Sequence, residues 1–359
     1  MQKTEKAKLI FSDDIKLKKR PLFFYGAGFM CRRIVDSCAL LGIRPDYISD
    51  RNPDLWGTSI YGIPIISPIE MKSHGQDNPI IITTLYTYSA ENSLAEDGFT
   101  NVWCFQESLN QFYDKNTSEK AFVENGGSIL YVKDCLADER SVEIVDQLMK
   151  YRLTGESGIF EQIFSDNEYY PRDIVELCEN EVFVDGGSYD GDTILDFTKR
   201  TDCKFNHIYA FEPLPLMFNK INENLLFHTA IERITIINKA LSDNIGVVRF
   251  TDRNVGSHVD ENGVLEVETD FIDNLFNDKK DGPTYIKLDI EGAEMTALRG
   301  AEQTISSYRP KLAVCLYHRF NDLWEIPEYL MSKYSFYDYF IRHHSLSFIS
   351  TVLYAIPKV

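Results

Sequence analysis

"VFVDGGSYDGDTI", residues 182–194, runs from a short apolar stretch into a glycine-rich turn and then into residues that suit a helix start. A chain bent this way presents unpaired backbone N–H groups to a small ligand, since the first amides of a helix have no internal partner. Gly187 and Gly191 let the backbone come close without a Cβ in the way. From Asp185 to Gly191 the pattern is D-x-G-x-x-x-G and not G-x-G-x-x-G. A carboxylate ending the strand repels pyrophosphate and attracts a cationic ammonium group.

Working outward, the following chain alternates strands and helices. "EVFVD", "HIYAFE", "ITIINKAL", "TYIKLD" and "KLAVCLY" read as strands. Between them "TILDFTKR", "LPLMFNKINENLLF", "IDNLFN" and "EMTALRGAEQTISSY" read as helices, an order that predicts a parallel sheet. The last two strands, "SFYDYFIRHH" and "SFISTVLYAIP", are separated only by residues around Ser345 to Ser347. So short a link makes an antiparallel hairpin, because a parallel crossover needs a dozen residues or more. The expected fold class is therefore α/β, a class I methyltransferase fold with a parallel sheet and an antiparallel terminal hairpin.

S-adenosylmethionine (SAM), with an ammonium and a sulfonium, suits the Asp185 turn better than NAD. The helix start at Asp192 and Thr193 can face its carboxylate. Glu212, ending the second strand in "YAFEP", stands where a carboxylate can accept both ribose hydroxyls.

"YIKLDIEGAEMTALRGA", residues 285–301, together with "VDGGSYDGDT", "AFEP", "NKALSD" and the closing "RHHS…TVLYAI", resembles the FkbM family of SAM-dependent methyltransferases. The resemblance covers residues 166–359 and implies SAM as cofactor and O-methylation of sugars, glycans or secondary metabolites. It implies a SAM loop of Asp185, Gly186, Gly187, Ser188, Gly191 and Thr193, with Glu212 on the ribose and Asn238 and Ala240 from "NKALSD" nearby. Asp289 would end the fourth strand at the active site. The loop departs from the commoner "VDVGANIG" form at Gly186, Ser188, Tyr189 and Asp190.

Ligands bind outside the carboxyl ends of strands in such sheets. That rule gathers Asp289, Glu291, Tyr317, His318, Arg319, Arg342, His343 and His344 on one rim, with Ser257 and His258 of "RNVGSH" in a loop over it. A sugar hydroxyl has a high pKa, and histidine is the natural base near neutral pH. His318 is the expected base, Asp289 its partner or a ligand of the acceptor, and His343 a contact for the acceptor's other hydroxyls. Carboxylates and imidazole also suit several metals, but the ligand spacing is loose and no metal is expected. Glu294 and Arg299 are read as capping or pairing along the helix they begin.

Upstream, "PLFFYGAG", "PDYISD", "GIPIIS", "NPIIITT" and "VWCF" read as strands of a smaller Rossmann-like domain over residues 1–115. "FYGAGFMCRRI" has Cys31 in place of the third fingerprint glycine. "DYISDRNPDLWGTSIYGIPIISPIEM" resembles the nucleotide-sugar-binding front domain of bacterial sugar acyltransferases. A packing or dimerisation module is the expected role, with a nucleotide-sugar as the alternative ligand and a homo-oligomer left open. Residues 116–165 read as a helical connector packing on a methyltransferase domain of residues 166–359.

A net charge of −18 excludes phosphate-tracking nucleic-acid binding and disfavours anionic membrane surfaces. No apolar run approaches the roughly 20 residues of a membrane span, and the opening "MQKTEKAKLI" has no signal-peptide core, so a cytoplasmic protein is expected. Seven cysteines without C-x-x-C spacing read as free thiols of a reducing compartment. The expected partner is a small-molecule or glycan acceptor. The competing readings are a two-domain nucleotide-binding protein without methyl transfer and an NAD-linked oxidoreductase.

Overall fold

The computed structural model describes residues 20–40, 43–84, 86–104, 115–156, 158–250 and 263–358. The chain divides into two compact units: residues 1–125, 146–164 and 345–348 form one, and 126–145, 165–344 and 349–359 the other. The division thus assigns residues 126–145 to the second unit and 146–164 to the first.

The first unit is built on a six-stranded sheet with the order β3-β4-β2-β1-β5-β6. Its strands are β1 (Phe23–Tyr25), β2 (Tyr47–Ser49), β3 (Ser59–Ile60), β4 (Ile63–Ile66), β5 (Ile80–Ile82) and β6 (Val102–Cys104). All pairings are parallel except the β3–β4 hairpin. Both sheet faces are apolar, as covered parallel strands require. Phe24, Ile48 and Ile81 enter one core, while Phe23, Tyr25, Ile80 and Ile82 enter another.

The second unit carries a seven-stranded sheet, made of β7 (Val182–Gly186), β8 (His207–Phe211), β9 (Ile234–Ile237), β13 (Tyr285–Leu288), β14 (Lys311–Cys315), β15 (Tyr337–His343) and β16 (Thr351–Pro357). Their order is β15-β16-β14-β13-β7-β8-β9. Only β16 runs against its neighbours, pairing antiparallel with β14 and β15. The short link before β16 thus dictates the reversal the sequence predicts, and the class I methyltransferase architecture follows. The helix over Asp192–Arg200 shows why these segments fold locally. Asp192 in its first turn and Lys199 and Arg200 in its last complement the helix dipole, and Ile194 and Phe197 are buried on one stripe. Phe197 stacks on Phe183 of β7 with ring centroids 4.5 Å apart.

A further sheet joins β10 (Ala240–Leu241), β11 (Gly246–Phe250) and β12 (Leu265–Asp270) in the order β10-β12-β11. The sequence reading has "ITIINKAL" as one strand and nothing in the following stretch. Instead the chain leaves the main sheet after Ile237, and Asn238 Nδ2 donates to Glu212 O at 2.8 Å and Pro213 O at 3.1 Å. The predicted helix over "EMTALRGAEQTISSY" also splits, into Glu294–Arg299 and Glu302–Tyr308. Gly300 sits at the break, where a Cβ would lie 2.1 Å from Ser242 O. Among the described residues no helix is long and apolar enough to cross a membrane.

Phe183 is fully buried between Phe197 and Tyr285. Phe183→Ala should cost about 3–5 kcal/mol by urea unfolding, the range for a large aromatic removed from a core that cannot collapse.

Candidate active site

At the carboxyl ends of the main-sheet strands lies a cavity of about 530 Å³, within the usual range for small-ligand sites. Its lining falls into two groups by chain position. Gly187, Tyr189, Thr193, Glu212 and Ala240 come from the ends of β7 and β8 and the start of the small sheet, the last of which adds Val248, Phe250 and Thr269. Glu168, Tyr169, Asp289, Tyr317, Arg319 and Ser350 come from the segment before β7 and the ends of β13, β14 and the β16 lead-in.

Gly187 forms a backbone cradle. Its φ is +82°, and a Cβ there would lie 1.9 Å from Asp289 O, so any side chain would force the β7 and β13 ends apart. Glu212 is 5% exposed and accepts Tyr189 N–H at 2.9 Å and Leu214 N–H at 2.9 Å. Burial pushes its carboxyl up to about 7; the two amides and Lys287 pull the other way, and Asp185 adds to the rise.

Asp185, expected to meet a ligand's ammonium group, is fully buried and absent from the cavity lining. Lys287 forms that stretch of wall instead. Its ammonium lies 3.0 Å from Asp185 Oδ1 and donates to Gly187 O at 2.7 Å. Burial works against this charge, but Asp185 and Asp289 hold the lysine above its ordinary pKa. Gly186 and Ser188 are likewise outside the lining, and Ser188 Oγ donates to Asp185 O at 3.1 Å. Gly191 caps the helix that starts at Asp192, and Asn238 spends its amide on the β8 end. Ser188, Gly191 and Asn238 thus shape the loop and its surroundings.

The expected catalytic residues separate. Asp289 lines the cavity, with Tyr317 OH donating to Oδ1 and Tyr169 OH to Oδ2, both at 2.8 Å. Burial alone would raise its carboxyl, yet Lys287, His318 and the two phenols hold it below the ordinary value. His318 stands behind this wall, its side chain 8% exposed, with Nδ1 2.8 Å from Glu294 Oε1 and Nε2 3.3 Å from Asp289 Oδ1. Burial disfavours its charge, but Glu294, Asp289 and Glu291 raise it to about 10. An imidazole that is already protonated at neutral pH cannot take a proton from a hydroxyl, so His318 is not the base the sequence suggests. Glu294, read as a cap, also accepts Ile290 N–H at 2.9 Å and is itself fully buried. Asp289, Glu294 and His318 bring ligand-type atoms within 4.8 Å of one another, close enough for a cation, and each is hydrogen-bonded to the chain.

His343 is fully buried in β15, its Nδ1 2.8 Å from Thr351 Oγ1, and is not part of the cavity lining. The antiparallel neighbour β16 intervenes, which moves His343 from the acceptor contacts expected of it. Arg342 pairs with Asp138 at 2.6 Å and Asp173 at 2.7 Å. His344 is neutral, pushed down to about 4 by burial. Ser257 and His258 lie outside the described residues.

Glu168, Tyr169, Lys287 and Ser350 went unnoticed in the sequence. Lys287 had a visible signal, a lone charge inside the apolar strand "YIKL". In the first unit, Asp50 Oδ2 accepts Ala27 N–H at 2.6 Å, so one amide of the "GAG" turn is already taken by the chain's own carboxylate.

Residues 185–344 match the family model of the methyltransferase FkbM domain. The crystal structure of methyltransferase FkbM from Methylobacillus flagellatus KT is similar over 98% of both chains, with 22% identity and a TM-score of 0.68. That structure shares the fold of the whole chain. An rRNA methylase from Streptococcus thermophilus matches 58% of this chain and 96% of its own, at 12% identity and a TM-score of 0.34. Fibrillarin from Aeropyrum pernix, with natively bound S-adenosyl-L-methionine, matches 52% of this chain and 71% of its own, at 11% identity and a TM-score of 0.36. No curated protein matches the chain.

His318 has a folded pKa above its unfolded one, so its stabilising contribution is full below about pH 6.5 and is lost as pH rises toward 10. Between pH 6.5 and 9 the melting temperature of wild type should fall more steeply than that of His318→Gln. Parallel slopes would show that the imidazolium is not held by its carboxylates.

Proposed function

We propose that the protein is a SAM-dependent O-methyltransferase acting on a hydroxyl of a sugar, glycan or secondary-metabolite intermediate. The observation that carries the reading is the charge of the cavity. Glu168, Asp192, Glu212, Asp289 and Glu291 line it, against Lys239, Lys287 and Arg319. Two of those cations are already matched by carboxylates, Lys287 by Asp185 and Lys239 by Asp270 at 2.9 Å. Such walls favour a cationic ligand and repel a pyrophosphate. The residues present fit SAM. The Gly187 cradle admits close approach, Glu212 can accept the ribose hydroxyls through its remaining lone pairs, and Val248 and Phe250 offer apolar surface.

SAM supplies an electrophilic methyl group, and the chain supplies alignment, which accounts for most of the acceleration in an in-line displacement. Tyr169 and Tyr317 fix Asp289 from two directions, so its carboxylate is a rigid acceptor for hydroxyl groups of the incoming alcohol. For the first unit, the Asp50 contact to the "GAG" turn supports a packing role over nucleotide-sugar binding, since a phosphate would have to displace a carboxylate.

Glu212→Ala should weaken SAM binding by about 1–3 kcal/mol in titration calorimetry, the cost of leaving buried donors unpaired. Unchanged affinity would remove Glu212 from the ribose site. Methyl-labelled SAM incubated with a panel of nucleotide-sugars and methyl glycosides should yield labelled sugar ether. Label appearing only on amines or thiols would overturn O-methylation. UDP- and dTDP-sugars should leave the melting temperature unchanged, and a rise abolished by substituting Asp50 would overturn the packing role.

A further inference from the structure

Five carboxylates line the cavity, and a reaction that methylates an alcohol needs one group to take the hydroxyl proton. Asp289 is held ionised by Lys287, His318 and two phenols, and each of its oxygens accepts a phenol O–H. Glu212 receives a backbone amide on each oxygen. Asp192 accepts Thr193 N–H at 2.7 Å at the helix start. Glu291 lies 3.8 Å from the His318 imidazolium and is 48% exposed. Glu168 remains.

The backbone around Glu168 is held in a costly shape. Asn167 has φ +57° and Tyr169 φ +64°, both left-handed and neither glycine. Such a residue is strained and persists only where the surroundings over-determine it. Here they do. Tyr169 N–H donates to Tyr354 OH at 3.0 Å, Tyr285 OH donates to Tyr169 O, and Tyr170 N–H donates to Asn167 O at 2.9 Å. Arg200 Nη1 donates to Asn167 Oδ1 at 3.2 Å. His344 is 2.8 Å from Tyr354 OH through Nε2 and 2.8 Å from Ser165 O through Nδ1. The neutral ring therefore donates at Nδ1 and accepts the phenol proton at Nε2, which orients Tyr354 toward the turn. Strands β13 and β16 and the Asp192–Arg200 helix thus all pin the turn that carries Glu168 into the cavity.

We propose that Glu168 is the general base that removes the proton from the acceptor hydroxyl, an inference that rests on the O-methyltransferase reading above. The acceptor oxygen forms a bond to the methyl carbon as the carbon–sulfur bond breaks, and that electron pair stays on sulfur. The hydroxyl proton passes to the Glu168 carboxylate and from there to water when product leaves. The groups facing Glu168 agree with this task. Burial and the Asp289 charge raise its carboxyl to about 7, a Ser350 hydrogen bond and Lys287 oppose the rise, and Asp192 adds to it. A base with that pKa is ionised often enough at neutral pH and still strong enough to hold a proton.

The test is Glu168→Gln, with Glu168→Asp as the conservative variant, in the full chain. S-adenosylhomocysteine affinity should match wild type in both, and the melting temperature of Glu168→Gln near neutral pH should be no lower than that of wild type, since the neutral amide removes a buried carboxylate. Wild-type minus Glu168→Gln difference infrared spectra should show one carboxyl group titrating near pH 7. With labelled SAM, and molar glycerol as a generic alcohol beside the sugar panel, kcat should fall about 10²–10⁴-fold in Glu168→Gln with KM little changed. Wild-type kcat should rise to a plateau above about pH 7, the residual Glu168→Gln rate should be flat from pH 6 to 8, and Glu168→Asp should recover part of the rate. A near-wild-type rate in Glu168→Gln, or no carboxyl band above pH 5, would overturn the base. Failure of wild type to bind S-adenosylhomocysteine would instead overturn the cofactor reading, with the infrared titration still standing. Cofactor binding with no alcohol methylated would overturn both the O-methylation reading and the base.

Discussion

The second unit is organised around one buried charge. Lys287 sits mid-sheet in β13, 1% exposed, where an unpaired ammonium would be prohibitive. It is tolerable only because Asp185 of the adjacent β7 and the carbonyl of Gly187 meet it. Removing either charged partner of such a pair typically costs about 3–5 kcal/mol, because the other is left uncompensated. The pair also fixes geometry. Through it the β7 turn and the end of β13 share one register, and Gly187 is drawn so close to Asp289 O that no side chain fits. Asp185 therefore meets the cavity only through the lysine it holds, since Lys287 and not Asp185 stands in its wall.

The same economy governs the other side of the cavity. Asp289 lies at the junction of Lys287, His318, Tyr169 and Tyr317, and each neighbour favours its ionised form. His318 is in turn fixed by Glu294 on the following helix. A chain of alternating charges, from Asp185 to Lys287 to Asp289 to His318 to Glu294, runs behind the cavity wall. Within it Asp289 is held below its ordinary pKa and His318 above its own, so neither is suited to take up a proton near neutral pH.

What the sequence revealed followed locality. The D-x-G-x-x-x-G turn, Glu212 after "YAF" and the short link before β16 are each written within a few residues, and each acts where it stands. The His318 environment was partly legible too, since Asp289, Glu291 and Glu294 crowd into "DIEGAE" and three acids around one imidazole can only raise its pKa. Glu168 and Ser350 were not legible. They meet only because β16 reverses direction and returns its lead-in beside the segment before β7. The break after Ile237 was hidden because "ITIINKAL" is apolar enough throughout to pass for one strand. Asn238 ends it through contacts to Glu212 and Pro213, which no local pattern announces.

The small β10-β12-β11 sheet is separate from the seven-stranded sheet, yet Ala240, Val248, Phe250 and Thr269 stand in the cavity wall. Along β11 the residues alternate, with Val247 and Arg249 exposed and Val248 and Phe250 turned in. Its inward side chains can be exchanged without disturbing the buried charges under the main sheet, because the two hydrogen-bond networks are distinct. Part of the cavity wall is thereby supplied by a sheet other than the one that carries the buried Asp185–Lys287 pair.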